Sequence, residues 1–158
     1  MIPGHMLNIL VAEDDRGIQT LLKTILTREG FTVDCVSDGA EALQRLGSTR
    51  YDVILIDLMM PTLSGAELIA RLIETNDDAL SRIIVVTAGA LHDTRTLPRL
   101  PIVRKPFDLD ELRSSVRAVG GVTTRQQRSA TPAAHDLLHA SPLPVPLRPS
   151  ASAIQQRA

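Results

Sequence analysis

Between residues 7 and 121, short aliphatic runs alternate with segments whose apolar residues fall at helical spacing, one such pair about every 20–25 residues. A chain patterned this way winds a parallel sheet with helices on both faces, because parallel neighbours need a crossover and the crossover must bury its own apolar stripe. Leu7–Ala12 is the first run. Ile18, Leu21, Leu22, Ile25 and Leu26 then share a helix stripe that stops at Gly30. Phe31–Val36 alternates, as a strand near an edge does, and Ala40–Leu46 follows as a short helix capped by Ser37 or Asp38. Val53–Ile56 is uninterrupted and bounded by Asp52 and Asp57, the pattern of a central strand covered on both faces. Ser64 and Glu67 form a capping box ahead of Leu68, Ile69, Leu72 and Ile73. Ile83–Val86 and Pro101–Arg104 give the fourth and fifth strands, and Asp108 caps a closing helix that carries Leu109, Leu112, Val116 and Val119 and ends at Gly120-Gly121. The expected fold is α/β, a doubly wound five-stranded parallel sheet.

The 158 residues, 44% of them hydrophobic, suffice for one domain of ordinary size and not for a multi-domain enzyme. A formal net charge of −1 argues against a nucleic-acid surface spread over the whole protein. No apolar run approaches the ~20 residues of a membrane span, and the single Cys35 can form neither an internal disulfide nor a cysteine-based metal site, so a cytoplasmic protein is the default expectation. Charge is unevenly placed. Residues 1–121 hold 13 Lys and Arg against 17 Asp and Glu, whereas 122–158 hold four Arg against one Asp and five of the ten prolines. That stretch has no apolar period and reads as a disordered tail rich in Pro, Ala, Ser and Arg. Residues 1–6, with Gly4-His5-Met6, are set aside as a tag-derived or unstructured start, leaving 7–121 as the domain.

In a sheet wound this way the carboxyl ends of the strands open into a crevice where ligands bind. The first strand delivers Glu13, Asp14 and Asp15 there, the third Asp57, the fourth Thr87 and the fifth Lys105. Taken singly, each has a plainer role: Asp15 as a helix N-cap, Glu13 and Asp14 as loop charges, Thr87 as a strand end, Lys105 as a surface charge before a turn. His92 and Cys35 carry no more than that. The coincidence of four strands at one edge points further. Carboxylates gathered in a partly desolvated crevice repel, and they take up protons unless a cation sits among them; a hard divalent ion such as Mg2+ meets that need.

The strings Ile9-Leu10-Val11-Ala12-Glu13-Asp14-Asp15, Asp52-Val53-Ile54-Leu55-Ile56-Asp57-Leu58-Met59-Met60-Pro61 with Gly65 after it, Val86-Thr87-Ala88 and Lys105-Pro106-Phe107 resemble the receiver domain of two-component response regulators, over about residues 7–119. The resemblance, to the single-domain chemotaxis-regulator kind, implies a flavodoxin-like sheet of order 2-1-3-4-5. It implies that Asp57 accepts a phosphoryl group from a histidine kinase or phosphotransfer protein. Glu13, Asp14, Asp57 and the backbone carbonyl of Met59 would hold Mg2+, Thr87 and Lys105 would contact the phosphoryl group, and the Lys105-Pro106 bond would be cis. The implied role is a signalling switch rather than an enzyme, acting on a downstream protein, with no direct nucleic-acid or membrane binding.

The chain departs from the family pattern in two places. Ile102 stands three positions before the lysine, where family members often carry an aromatic residue. The stretch from Thr87 to Lys105 is short and holds Pro98-Arg99-Leu100-Pro101, so a helix there is expected to be short or irregular, and the switch to act by ordering the loop over 88–100. Two other functions compete. An aspartyl-nucleophile phosphatase or phosphotransferase would carry a second Asp two residues after the nucleophile, where this chain has Leu58-Met59. A non-phosphorylated interaction module would keep the fold without the complete residue set. A nucleotide site is excluded because no glycine-rich loop follows the first strand. The 37 residues after 121 are too few for a DNA-binding output domain.

Overall fold

Five parallel strands, β1 (Asn8–Ala12), β2 (Thr32–Val36), β3 (Val53–Asp57), β4 (Ile83–Thr87) and β5 (Ile102–Arg104), lie in the order β2-β1-β3-β4-β5. In this computed structural model the described residues are 6–75, 77–88 and 98–122, within a unit running from Met1 to Thr124. The helices are α1 (Arg16–Arg28), α2 (Gly39–Ser48), α3 (Gly65–Glu74) and α4 (Leu109–Val119). Residues 1–5 of the expected start, 89–97 of the expected irregular segment, with His92, and the tail from 123 lie outside the described residues.

The sheet divides the core in two, because successive side chains of a strand face opposite ways. Leu10 and Ala12, Ile54 and Ile56, and Ile83 and Val85 pack beneath α2 and α3, on Ala42, Leu68, Ile69 and Leu72. Ile9 and Val11, Val53 and Leu55, Ile84 and Val86, and Val103 face the other way, onto Leu22 and Leu26 of α1 and Leu112 and Val116 of α4. β3 is buried along its whole length, as its uninterrupted sequence requires, while the edge strand β2 does not follow the strict alternation expected of it: Thr32 is exposed, Asp34 and Cys35 are half-buried, and Val33 and Val36 are buried on opposite faces.

β1, β2 and β5 begin one residue later than the expected runs. The Phe31 N–H is taken by the Leu26 carbonyl at the end of α1, and Leu7 and Pro101 contribute only their carbonyls, to Thr32 and Val85. β3 and β4 run one residue longer, through Asp57 and Thr87, since ladder pairing is a backbone property that a polar side chain does not end. A single turn of 3-10 helix over Asp78–Arg82 has no apolar period to announce it; the Asp77 side chain caps it by accepting the Ala79 N–H at 2.8 Å.

The expected caps are in place. Asp15 accepts the Ile18 N–H, Asp38 that of Glu41, and Asp108 those of Asp110 and Glu111. Ser64 and Glu67 satisfy each other reciprocally at the start of α3. Ser64→Ala is expected to cost about 1 kcal/mol in denaturant unfolding. The N–H and hydroxyl of Ser64 both donate to the Glu67 carboxylate and hold its pKa below the ordinary glutamate value. A depressed carboxylate contributes stability above its unfolded pKa and loses it as pH falls through the folded one. The parent is therefore expected to lose more stability than Glu67→Gln across that acid window, measured as melting temperature against pH.

Candidate functional site

Strand alternation decides which side chains meet at the crevice. Glu13, Asp57 and Lys105 fall in step with Val11, Leu55 and Val103, all on the α1 and α4 side of the sheet. They converge: the Lys105 ammonium donates to Glu13 Oε2 at 2.6 Å and to Asp57 Oδ2 at 2.6 Å. The side chains of Glu13 and Asp57 are 2% and 6% exposed and that of Lys105 13%, so this is a desolvated triad and not a surface ion pair. Register brings the parts level. Asp57 lies opposite Val86, Thr87 lies opposite Arg104, and the Lys105 N–H donates to the Thr87 carbonyl at 3.0 Å.

Burial pushes the Glu13 carboxyl above the ordinary glutamate range, and the Asp57 charge adds to this; hydrogen bonds from Lys105 and the Asp15 N–H offset part of it. For Lys105 burial acts downward. Its hydrogen bonds to Asp57 and Glu13 outweigh it and hold the ammonium above the usual lysine value, so it stays charged. Asp14, exposed at the mouth, completes an acid set: Glu13, Asp14 and Asp57 each offer a carboxylate oxygen, and these oxygens lie within 4.8 Å of one another. Two buried carboxylates and one exposed one, served by one ammonium, retain negative charge. Such a set of hard oxygen donors fits a small divalent cation.

Two backbone features fix Asp57. Its Oδ1 accepts the Met59 N–H at 3.0 Å, while the Met59 side chain projects into solvent at 68% exposure. Behind it, α3 begins against the strand end: a Cβ built on Gly65 would lie 2.1 Å from the Asp57 carbonyl oxygen, and the Gly65 N–H donates to the Leu58 carbonyl at 3.1 Å. Only glycine permits that approach.

The structure thus gathers Glu13, Asp14, Asp57 and Lys105, sets Thr87 buried on the neighbouring strand, and leaves Asp15 as a cap whose N–H also donates to Glu13 Oε1 at 3.1 Å. The Lys105-Pro106 bond is cis. Ile102 is half-buried and packs on the core beneath α2 and α3. Cys35 is half-buried, and burial pushes its thiol up, away from reactivity. From sequence, Gly65 figures only as part of the family string; its contact with the Asp57 carbonyl is invisible in one dimension. Reading strand ends missed Gln19, inside α1, whose Nε2 donates to the Glu13 carbonyl and which gives no signal except as a polar residue near the helix start. No helix among the described residues is long and apolar enough to cross a membrane.

Residues 9–117 match the family model described as the response regulator receiver domain. The chain is 39% identical over 118 residues to the response regulator MprA of Mycobacterium ulcerans, covering 70% of this chain and 49% of that protein. It spans about half the length of the curated relatives it matches. Among solved structures, a Francisella response regulator receiver domain superposes with TM-score 0.66 at 31% identity, covering 75% of this chain and 99% of that one. The receiver domain of a Pseudomonas aeruginosa sensor histidine kinase, described with a magnesium ion in its active-site cleft, gives 0.66 at 30% identity over 73% and 98% of the two chains. Thermotoga maritima TrrA, in complex with Mg2+ and BeF, gives 0.63 at 34% identity over 72% and 99%.

Proposed function

From the premise that this chain belongs to the response regulator receiver family of two-component signalling, we propose that Asp57 is its phosphoacceptor, taking a phosphoryl group from the phosphohistidine of a histidine kinase or phosphotransfer protein. The observation that carries this reading is the triad: a buried carboxylate, Asp57, held 2.6 Å from the ammonium of the half-buried Lys105 and within 4.8 Å of two further acids. An Asp57 oxygen forms the new O–P bond as the N–P bond to the donor imidazole breaks, and the imidazole leaves with a proton. A carboxylate approaching a phosphoryl anion needs positive charge on both the nucleophile and the phosphoryl oxygens. Lys105 supplies one such charge. Glu13, Asp14, Asp57 and the Met59 carbonyl would hold Mg2+, which when bound supplies the other.

In the phosphorylated state Lys105 exchanges its Asp57 carboxylate partner for a phosphoryl oxygen, and the Thr87 hydroxyl gains an acceptor at the end of β4. Its movement carries the backbone that follows, which is how a local charge becomes an altered surface for a downstream protein. Residues 7–121 are assigned as the receiver, located in the cytoplasm with its kinase partner.

The test is intact mass after incubation with an acyl phosphate. The expected result is a gain of one phosphoryl group with Mg2+, none with a chelator, and none in Asp57→Asn. Full phosphoryl gain in Asp57→Asn would overturn the assignment.

A further inference from the structure

Gln19, in the first turn of α1, turns its side chain back toward the crevice. Its Nε2 donates to the backbone carbonyl of Glu13 and to that of Val36 at 3.0 Å, and lies 3.4 Å from Ser37 Oγ. Three oxygen acceptors surround this atom, so the amide group, and not the carbonyl end of the side chain, must face them. The Glu13 N–H donates to the same Val36 carbonyl at 3.1 Å. Glu13 stands one residue past the last β1–β2 pair, Ala12 with Val36, so its N–H is still bonded to β2 while its carbonyl lies beyond the paired residues. Its two peptide units are therefore tied separately, the N–H directly to β2 and the C=O through Gln19. Ser37, the third partner, is itself held by Glu41, whose carboxylate accepts the Ser37 N–H at 3.3 Å.

We propose that Gln19 is a positioning residue for the divalent-cation site: by clamping the Glu13 carbonyl to β2 it aims the Glu13 carboxylate, and the Asp14 that follows, at one shared point. The inference rests on the reading of Glu13, Asp14 and Asp57 as Mg2+ ligands. Without the clamp, like charges within 4.8 Å of each other push the Glu13–Asp14 segment apart, and the cation must reassemble it. Groups that hold metal ligands in place from behind typically account for about tenfold or more in metal affinity.

The experiment titrates the full chain with Mg2+ alone, following the Asp14 and Met59 amide resonances, since the chain has no tryptophan to report binding. Gln19→Met keeps the length and removes the donor. Gln19→His, at a pH where its imidazole is neutral, returns one N–H at similar reach. Ile25→Val, six residues further along the same helix, is a stability control. The expected result is Mg2+ affinity about tenfold weaker in Gln19→Met, partly restored in Gln19→His, and unchanged in Ile25→Val despite a lower melting temperature. Should Gln19→Met fail to fold, Gln19→Asn, whose amide is too short to reach both carbonyls, is expected to show the same loss. Parental affinity in the donor-less variant overturns the inference alone, as does equal weakening in Ile25→Val or Gln19→His. A parent chain that binds no Mg2+ overturns the site reading as well.

Discussion

Replacing Lys105 by methionine is expected to cost the metal-free protein about 3 kcal/mol, a fall of roughly 10 °C in Tm, and Mg2+ is expected to return most of it. The lysine ammonium holds Glu13 and Asp57 at 2.6 Å each, and both carboxylates are almost wholly out of water. Removing it leaves buried charge without a partner, one of the costlier single changes available to a folded chain. The cation that suits the acid set supplies the missing charge, so the rise in Tm with Mg2+ should be larger in Lys105→Met than in the parent. Acid should act in the same direction. The Glu13 pKa is already raised by burial, and losing the ammonium raises it further. A carboxyl raised on folding contributes stability below its unfolded pKa and loses it as pH rises through the folded value. The difference between parent and variant should therefore shrink as pH falls. Equal Tm values at neutral pH with a chelator present would show that the triad carries no such load.

Gly65→Ala is expected to be the most damaging one-methyl change in the described residues near the site. The added carbon would sit 2.1 Å from the Asp57 carbonyl oxygen and 2.8 Å from its carbonyl carbon and from Ile56 Cγ2. None of these is the free end of a flexible side chain, so α3 or the end of β3 must move. Overpacking against backbone costs about 3 kcal/mol or more. The larger effect falls on phosphorylation, because displacing the Asp57 backbone moves its carboxylate away from Lys105 and from the Met59 N–H; a shift of about 1 Å is enough for a rate loss on the order of a hundredfold. Gly47→Ala, with nothing within 4 Å of the added carbon, is the matched control and should leave both quantities near parental values. A Gly65→Ala protein phosphorylated at the parental rate would show that the close approach is not needed for the site.

Most of this site was legible because its chemistry sits where strands end. Glu13, Asp57 and Thr87 each follow an aliphatic run and Lys105 follows the short strand Ile102–Arg104, and a parallel sheet sends all such ends to one edge, so a one-dimensional pattern suffices to collect them. That the Lys105 ammonium bridges Glu13 and Asp57 was not legible: a residue expected to meet a phosphoryl group holds the carboxylates together without one, a matter of distance across four strands. Gln19, and the close contact that requires Gly65, escaped for the same reason. One acts through two backbone carbonyls and the other through the absence of a side chain, and neither leaves a periodic trace. The turn over Asp78–Arg82 escaped because five residues are too few to show a period.

The two-sided core also decides which changes of length the chain can absorb. Glu13, Asp57 and Lys105 meet because each falls in step with the residues of its strand that face α1 and α4. Inserting or deleting one residue within β3 would exchange the partners of Val53 and Leu55 with those of Ile54 and Ile56, and would turn Asp57 through the plane of the sheet, away from Lys105. An insertion at Gly47 or Ser48, on the exposed end of α2 at the opposite edge, changes no such alternation. Drift in sequence length is therefore confined to the connections. Each of β1, β3 and β5 is a ruler with a site charge at its last residue or one residue beyond, and the site stays assembled only while the three agree to within a single residue.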